Sequence, residues 1–231
     1  MNQLESFFPT LNDKNTPAKD CSVVLLSKPA DDFKSQNELY QQMKQTAEAE
    51  KLFRLSVFLT EREKLLFLAP AGPDENETED DLLFCAKAGI SVMEELRIEP
   101  KIGIISGGRE GDFGRDPRVD KTLTDAKNLQ KRLDLEVIAS KNYTILIEEA
   151  VKEANFLIVP NSLSGELILK TVTGIGEGRE IGNILLFKQK NSTDAADFKT
   201  IYIEQLTEKG NPKDAEILKK ALCAKIKQGL R

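Results

Sequence analysis

Residues 101–120 read KIGIISGGREGDFGRDPRVD, and this stretch sets the expectation for the fold. It opens with a short apolar run, Ile102 to Ile105, that ends abruptly at a polar segment rich in glycine. A continuous apolar run of this length is typical of a strand buried inside a parallel sheet. We therefore predict a buried strand whose carboxyl end leads into a ligand-binding loop, residues 106–120.

This loop, called the Gly-Arg loop below, has residue types suited to binding an anion. Glycine lacks a Cβ, so that successive backbone N–H groups can converge on one ligand. Arginine supplies a planar fork of donors that fits phosphate oxygens. No Gly-Lys-Ser/Thr follows, which excludes a Walker loop. The candidates are Ser106, Arg109 and Arg115 for catalysis, and Gly107, Gly108, Gly111 and Arg118 for binding the ligand.

A second interpretation of the Gly-Arg loop stays open, because its charges balance. Four cationic residues (Arg109, Arg115, Arg118 and Lys121) face four acidic ones (Glu110, Asp112, Asp116 and Asp120). These groups can pair with each other and merely stiffen a long turn. Pro117 interrupts any helix that would align the aspartates, and arginines lie between them. We therefore expect no metal site here.

Outward from the loop, apolar runs alternate with segments of helical periodicity. We predict strands over residues 21–26, 53–59, 64–69, 101–105, 136–139, 154–159 and 182–187, with an edge strand over 201–203. We predict helices over residues 31–51, 82–96, 122–133, 144–153, 166–172 and 214–228. We expect residues 53–69 to form a hairpin whose second strand is stopped by Pro70, Gly72 and Pro73. Alternation of this kind predicts an α/β fold with a mostly parallel sheet between two layers of helices.

Residues 74–81, called the acidic segment below, precede the second predicted helix. Thr78 or Asp74 can cap that helix, and the acidic side chains complement its dipole. Because the acidic residues are consecutive, capping and solubility explain them better than a metal site.

A second polar segment follows the strand predicted over residues 154–159. Asn161, Ser164 and Gly165 lie between this strand and a helix, where open α/β sheets bind ligands. A helix cap explains the same residues, and the two roles are compatible. The glycines of residues 174–182, GIGEGREIG, do not match a dinucleotide fingerprint, since Arg179 replaces the third glycine and a strand follows.

Composition excludes several classes of function. The 231 residues include no histidine, which removes Ser-His-Asp triads and histidine-bound zinc. A net charge of −5 argues against a nucleic-acid binder. No apolar run is long enough to span a membrane, and no secretory signal is visible. Cys21, Cys85 and Cys223 are odd in number and widely spaced, so we expect reduced thiols and a cytoplasmic protein.

The order of these motifs resembles a known family. The strand, SGGREGDFGRDPRVD, the segment EAVKEANFLIVPN and the Ser-Gly that follows resemble the MtxX family of methanogenesis marker proteins, which carries a methyltransferase-subunit name. The segments ANFLIVPNSLSGELILK and GIGEGREIGNILL are similar to the phosphate acetyl/butyryl transferases. The resemblance covers residues 53–187.

The resemblance implies a three-layer fold like that of isocitrate and isopropylmalate dehydrogenases. A phosphotransacetylase-like domain would span residues 52–231, after a variable arm, strand and helix over 1–51. By position, Ser106 to Arg109 match the loop that faces the ligand, and Asn161, Ser164 and Gly165 match the opposite wall. The implied ligand carries phosphate or coenzyme A; no other cofactor is implied.

The chain also departs from the transferase pattern. Residues 188–197, KQKNSTDAAD, replace the Asp-Leu-Ser-Arg-Gly motif that serves the transferase reaction, and Asn183 replaces a proline. Two functions therefore stay open: an acyl transferase, or an accessory protein that binds methyltransferase subunits. A second copy of the chain is a further candidate partner, in a homodimer.

Overall fold

A computed structural model describes residues 7–8, 23–26, 33–74, 77–193, 201–204 and 211–226. The strands are β1 (Val23–Leu25), β2 (Ala49–Leu59), β3 (Leu65–Pro73), β4 (Ile102–Ile105), β5 (Ser140–Thr144), β6 (Phe156–Ile158), β7 (Arg179–Gln189) and β8 (Ile201–Glu204). The helices are α1 (Phe33–Thr46), α2 (Glu79–Glu95), α3 (Pro117–Leu135), α4 (Ile147–Glu153), α5 (Ser162–Gly174) and α6 (Pro212–Ile226).

The eight strands form one mixed sheet in the order β1-β8-β7-β2-β3-β6-β4-β5. In the described ranges, β3, β6, β4 and β5 are mutually parallel, as are β1 and β8, while β2 runs antiparallel to both of its neighbours. The prediction of an α/β fold with a mostly parallel sheet is confirmed, and so is the β2–β3 hairpin.

Apolar side chains on the two faces of the sheet create the three layers. On one face, α2, α3 and α6 pack on the sheet in the largest core cluster, around residues such as Phe67, Phe84 and Leu129. On the other face, α4 and α5 cover Phe58 and Leu68, while α1 packs on Leu52 of β2 and Leu185 of β7. Consecutive connections therefore leave the sheet on different faces, which matters for the site below.

Three predicted strands and one predicted helix were wrong in detail. The helix predicted over residues 31–51 ends at Thr46, because β2 already begins at Ala49. β3 does not stop at Pro70 but continues to Pro73, because the β2–β3 register shifts there and removes the need for a proline N–H. β5 lies at Ser140–Thr144 and not at 136–139. Its sequence, SKNYT, lacks an apolar run because only Tyr143 of this edge strand is buried. β8 is not an edge strand, since β1 pairs with its outer side.

The cysteines depart in part from expectation. Cys85 is a free thiol that is fully buried in the core, and burial raises the pKa of this thiol. Cys223 is disulfide-bonded, so the expectation that all three thiols stay reduced was wrong. Cys21 and most of the predicted arm of residues 1–20 lie outside the described residues. Within the described part of the chain, no helix is long and apolar enough to cross a membrane.

Candidate functional site

The connections that follow β4 and β6 leave these neighbouring parallel strands on opposite faces of the sheet. β4 leads through the Gly-Arg loop to α3 on one face, and β6 leads to α5 on the other. Such a divergence opens a crevice at the carboxyl ends of the strands, where α/β proteins bind ligands. The topology thus places Ser106 to Arg109 and Asn161 to Gly165 after the carboxyl ends of two neighbouring parallel strands.

Ser106 and its two glycines are fixed by the surrounding chain. Ser106 is 1% exposed, its N–H donates to the Thr144 carbonyl (2.8 Å), and its hydroxyl donates to the Gly108 carbonyl (3.1 Å). The Gly107 N–H donates to the Thr122 hydroxyl (2.8 Å). A Cβ on Gly108 would lie 2.5 Å from Val119 Cγ1, so this position needs glycine for space. The start of the loop is therefore rigid.

Farther along the loop, the acidic side chains bind the loop's own donors. Asp112 accepts the Arg109 N–H (2.8 Å) and pairs with the Arg115 guanidinium; the backbone bond and then the Arg115 bond lower the pKa of Asp112. Asp116 pairs with Arg118 at 3.0 Å, and bonds from the Arg118 side chain and N–H lower its pKa to about 2. The pairing interpretation thus holds for Arg115 and Arg118.

Arg109 differs from the other two arginines of the loop. Its side chain is exposed, and in the described residues its guanidinium forms no ion pair with a carboxylate. Of the three arginines, Arg109 is also the one nearest along the chain to the end of β4, just after the rigid Ser106 to Gly108 turn. Gly111 and Gly114 have open space at the Cβ position, so neither is required by packing there.

The opposite wall is the amino end of α5. Asn161 caps the helix: its Oδ1 accepts the Ser164 N–H (2.8 Å) and the Ser164 hydroxyl (2.9 Å). A Cβ on Gly165 would lie 2.1 Å from the Pro70 carbonyl oxygen, so the helix touches β3 directly. These three residues have clear structural roles, and a role in ligand binding stays a prediction for each.

The acidic segment contributes to this wall, which the sequence did not reveal. The Ser162 N–H donates to Glu77 Oε1 (2.6 Å), and the Ser162 hydroxyl donates to the Asp74 carbonyl (2.8 Å). Thr78 caps α2 in a capping box with Asp81, as predicted. The contacts to Ser162 join positions 85 and 88 residues apart, and no local spacing signals them.

A buried arginine also fixes α5. Arg54 on β2 is 5% exposed and donates to Glu166 on α5 (2.7 Å), to Tyr40 on α1 (2.7 Å) and to Glu204 on β8. Burial lowers the pKa of Arg54, but Glu204, Tyr40 and Glu166 outweigh it and raise the pKa overall. This network was not predicted, because arginine is rarely buried in a core and its partners lie 112 and 150 positions away along the chain.

Apolar side chains are exposed around the same crevice. Phe113 in the Gly-Arg loop, Ile145 after β5 and Leu163 in the first turn of α5 are 64%, 45% and 60% exposed. All three follow carboxyl ends of neighbouring parallel strands. A ligand or partner at this edge would thus meet apolar surface beside Arg109. The described residues contain no cluster of three or more carboxylates or thiols suited to a metal ion.

Comparison with known proteins finds relatives of this chain in methanogens. The chain is 37% identical over 179 residues to "Putative methyltransferase mtx subunit X" of Methanosarcina barkeri, an alignment of 75% of this chain and 66% of that protein. The namesake from Methanosarcina mazei is 40% identical over 175 residues, 74% of this chain and 62% of that protein. The chain thus spans less than two thirds of these relatives. No protein-family model matches it.

Solved structures with the same fold are phosphotransacylases. A branched-chain phosphotransacylase from Enterococcus faecalis matches with a TM-score of 0.62 at 15% identity, over 89% of this chain and 73% of that chain. A phosphotransacetylase from Streptococcus pyogenes matches with a TM-score of 0.55 at 18% identity, over 79% and 55% of the two chains. At these identities the likeness establishes the fold alone.

Proposed function

Because this chain belongs to the MtxX family and has the phosphotransacetylase fold, we propose that it binds a phosphate- or coenzyme A-bearing small molecule in the crevice between β4 and β6. The family resemblance seen in the sequence is confirmed; the ligand is our proposal. We further propose that the chain transfers an acyl group between phosphate and the coenzyme A thiol.

The observation that carries the proposal is the state of Arg109. Its guanidinium is exposed beside the rigid Ser106 to Gly108 turn and forms no salt bridge in the part of the chain that the structure describes, although its charge helps to lower the pKa of Asp112. A guanidinium of this kind can form two parallel hydrogen bonds to a phosphate. Arg115 and Arg118 already hold loop carboxylates and would assist only after exchanging partners.

In the proposed reaction, the coenzyme A thiolate attacks the carbonyl carbon of an acyl phosphate. A carbon–sulfur bond forms, the carbon–oxygen bond to phosphate breaks, and phosphate leaves with the electron pair. Arg109 would neutralise the phosphate, and catalysis would consist chiefly of positioning and charge stabilisation. Ser106 orients the loop through its hydrogen bond to Gly108 and is not assigned as a nucleophile, because among the described residues its hydroxyl donates to that carbonyl and to no basic side chain.

An exchange assay with acetyl phosphate and coenzyme A tests this proposal. We expect turnover in the wild type and a loss of about tenfold or more in Arg109→Ala, since a charge-assisted bond to phosphate is worth ~1.5–3 kcal/mol. Arg132→Ala is the matched control, because Arg132 lies on α3 and pairs with Asp80 at 2.7 Å. No turnover and no binding of either compound by the wild type would refute the proposal.

A second function, an accessory role in methyl transfer, is favoured by a different observation. The relatives carry the name of a methyltransferase subunit, and residues 188–197 have no arginine to serve a transferase reaction. The exposed Phe113, Ile145 and Leu163 would then bind a methyltransferase subunit.

Copurification from a methanogen, with mass spectrometry of the bound proteins, tests this second function. We expect a methyltransferase subunit to be retained by the wild type and lost from Phe113→Ser. Acyl transfer by the isolated protein at enzymatic rates would favour the first function instead.

A further inference from the structure

A groove of about 650 Å³ lies between α4 and α5. It is on the face of the sheet opposite to α3, the helix that follows the Gly-Arg loop. Its floor is made by Phe58 on β2, Leu66 on β3 and Leu157 on β6, and its walls include Val151 of α4 and Val172 of α5. Leu66 lies at the start of β3, whereas the crevice lies at the opposite, carboxyl end of the parallel strands. The groove is thus a separate site.

The size and lining of the groove suit a small apolar ligand. Pockets for such ligands range over ~300–1,000 Å³ and are lined mainly by hydrophobic side chains. The floor residues Phe58, Leu66 and Leu157 are each 1% exposed, so the bottom of the groove is fixed core. The helix walls add Ile147 and Ile168 to the apolar surface.

A lysine lies at the end of this apolar surface. Lys64 lines the groove, and its ammonium donates to the Val151 carbonyl oxygen. Among the described residues, no carboxylate forms a salt bridge with it, whereas Lys152 at the rim is paired with Glu149 at 2.7 Å. Burial and, second, the positive charge of Lys101 lower the pKa of Lys64.

The other charged residues that line the groove are Glu61, Arg62 and Glu148. Glu61 and Arg62 lie in the exposed turn between β2 and β3, and Glu148 is in the first turn of α4. With Lys152 held by Glu149, the remaining lining charges are two cations and two anions. Lys64 is the half-buried one among them, whereas Arg62 is exposed.

We propose that this groove binds a small anionic amphiphile, a single apolar chain ending in a carboxylate. The chain lies between α4 and α5, and the carboxylate contacts the Lys64 ammonium. Apolar contact with the groove supplies most of the affinity, and the lysine selects an anionic over a cationic head group. This ligand and site are distinct from those proposed for the Gly-Arg loop.

Isothermal titration of the full chain with decanoate, and separately with decyltrimethylammonium, tests the proposal. We expect decanoate to bind at least about tenfold more tightly than the cation, and Lys64→Gln to weaken decanoate by about tenfold without weakening the cation. Lys131→Gln, an exposed position of α3 on the other face of the sheet, should bind decanoate like the wild type.

Filling the groove gives a second test. Val172→Phe should weaken decanoate by about tenfold or more, while Leu167→Phe should not, because Leu167 is 59% exposed on the outer side of the same helix. Equal binding of the two amphiphiles, unchanged binding in Lys64→Gln, or no binding of decanoate at ~1 mM would each overturn the proposal. Lys64→Gln decides the question even if Val172→Phe fails to fold. Arg109→Ala should bind decanoate normally, which separates this test from that of the proposed function.

Discussion

Two sets of ion pairs in this molecule differ in how their partners are arranged. In the Gly-Arg loop, Asp112 pairs with Arg115 and Asp116 with Arg118, and the two arginine side chains are 74% and 92% exposed. Around β2 and β7, Arg54 pairs with Glu204 and Lys188 with Asp81, across 150 and 107 positions, and all four side chains are at most 8% exposed.

The difference separates charges that hold the fold from charges that are available to a ligand. An exposed local pair contributes ~0–1 kcal/mol, so exchanging its partner for a ligand anion has little effect on the fold. A buried pair that loses one partner costs ~3–5 kcal/mol, because the other charge is left unpaired in the interior. Similar residue types thus serve opposite purposes, and burial together with separation along the chain tells them apart.

The buried Arg54 network gives the largest expected effect. Arg54→Met leaves the Glu204 carboxylate, 4% exposed, and the Tyr40 hydroxyl without their cation. We expect the free energy of unfolding to fall by about 4 kcal/mol in chemical denaturation followed by circular dichroism. Arg132→Met, which breaks a half-exposed pair, should lose less than ~1 kcal/mol. If both variants lost the same free energy of unfolding, the distinction between buried and exposed ion pairs would be wrong.

Asp81 should show the next largest effect, as a dependence on pH. Burial raises its pKa, but bonds from Lys188, Lys51 and Thr78 outweigh burial and lower the pKa from 3.8 to about 2. The unfolded chain therefore binds this proton more readily, and Asp81 stabilises the fold fully only above pH 3.8. Its contribution of ~2 kcal/mol is lost as the pH falls towards 2.

Asp81→Asn isolates that contribution. We expect a free energy of unfolding about 2–3 kcal/mol below the wild type at neutral pH, and a shallower fall on acidification. Denaturation curves at a series of pH values measure both. A variant with the same slope as the wild type between pH 3.8 and about 2 would show that Asp81 is not the group responsible.

Arg118 should have the smallest effect. Its pair with Asp116 is local and its side chain is 92% exposed, so Arg118→Ala should leave the melting temperature indistinguishable from that of the wild type. A thermal melt beside the wild type and Asp81→Asn is sufficient to measure this. A loss as large as that of Asp81→Asn would mean that the loop's ion pairs are structural after all.

The sequence predicted those parts of the fold that local patterns encode. The apolar run of β4, the Thr78 cap of α2 and the alternation of strands and helices are local, and each is confirmed. β5 was misplaced because an edge strand with one buried residue has no apolar run. β3 was cut short because a register shift, invisible in the sequence, lets a strand continue past Pro70.

The candidate site divides in the same way. The two walls could be predicted because each follows a buried strand, and parallel strands present their carboxyl ends at one edge. The partners of Ser162 and Glu166 could not be predicted, since Glu77 and Arg54 reach them across 85 and 112 positions. The balance of charge in the Gly-Arg loop was visible, but the structure was needed to tell that Arg115 and Arg118 are paired and Arg109 is not.

The contact between Glu77 and Ser162 has a consequence for any measurement of binding at the amino end of α5. The Glu77 carboxylate already accepts the Ser162 N–H at 2.6 Å, and its segment is anchored at both ends, by Asp74 to Lys44 and by Asp81 to Lys188. It therefore behaves as a tethered competitor at high effective concentration. An anion that binds this end of α5 must displace the Glu77 carboxylate from the Ser162 N–H. The measured affinity of the anion would therefore be lower than its affinity for the unoccupied helix end.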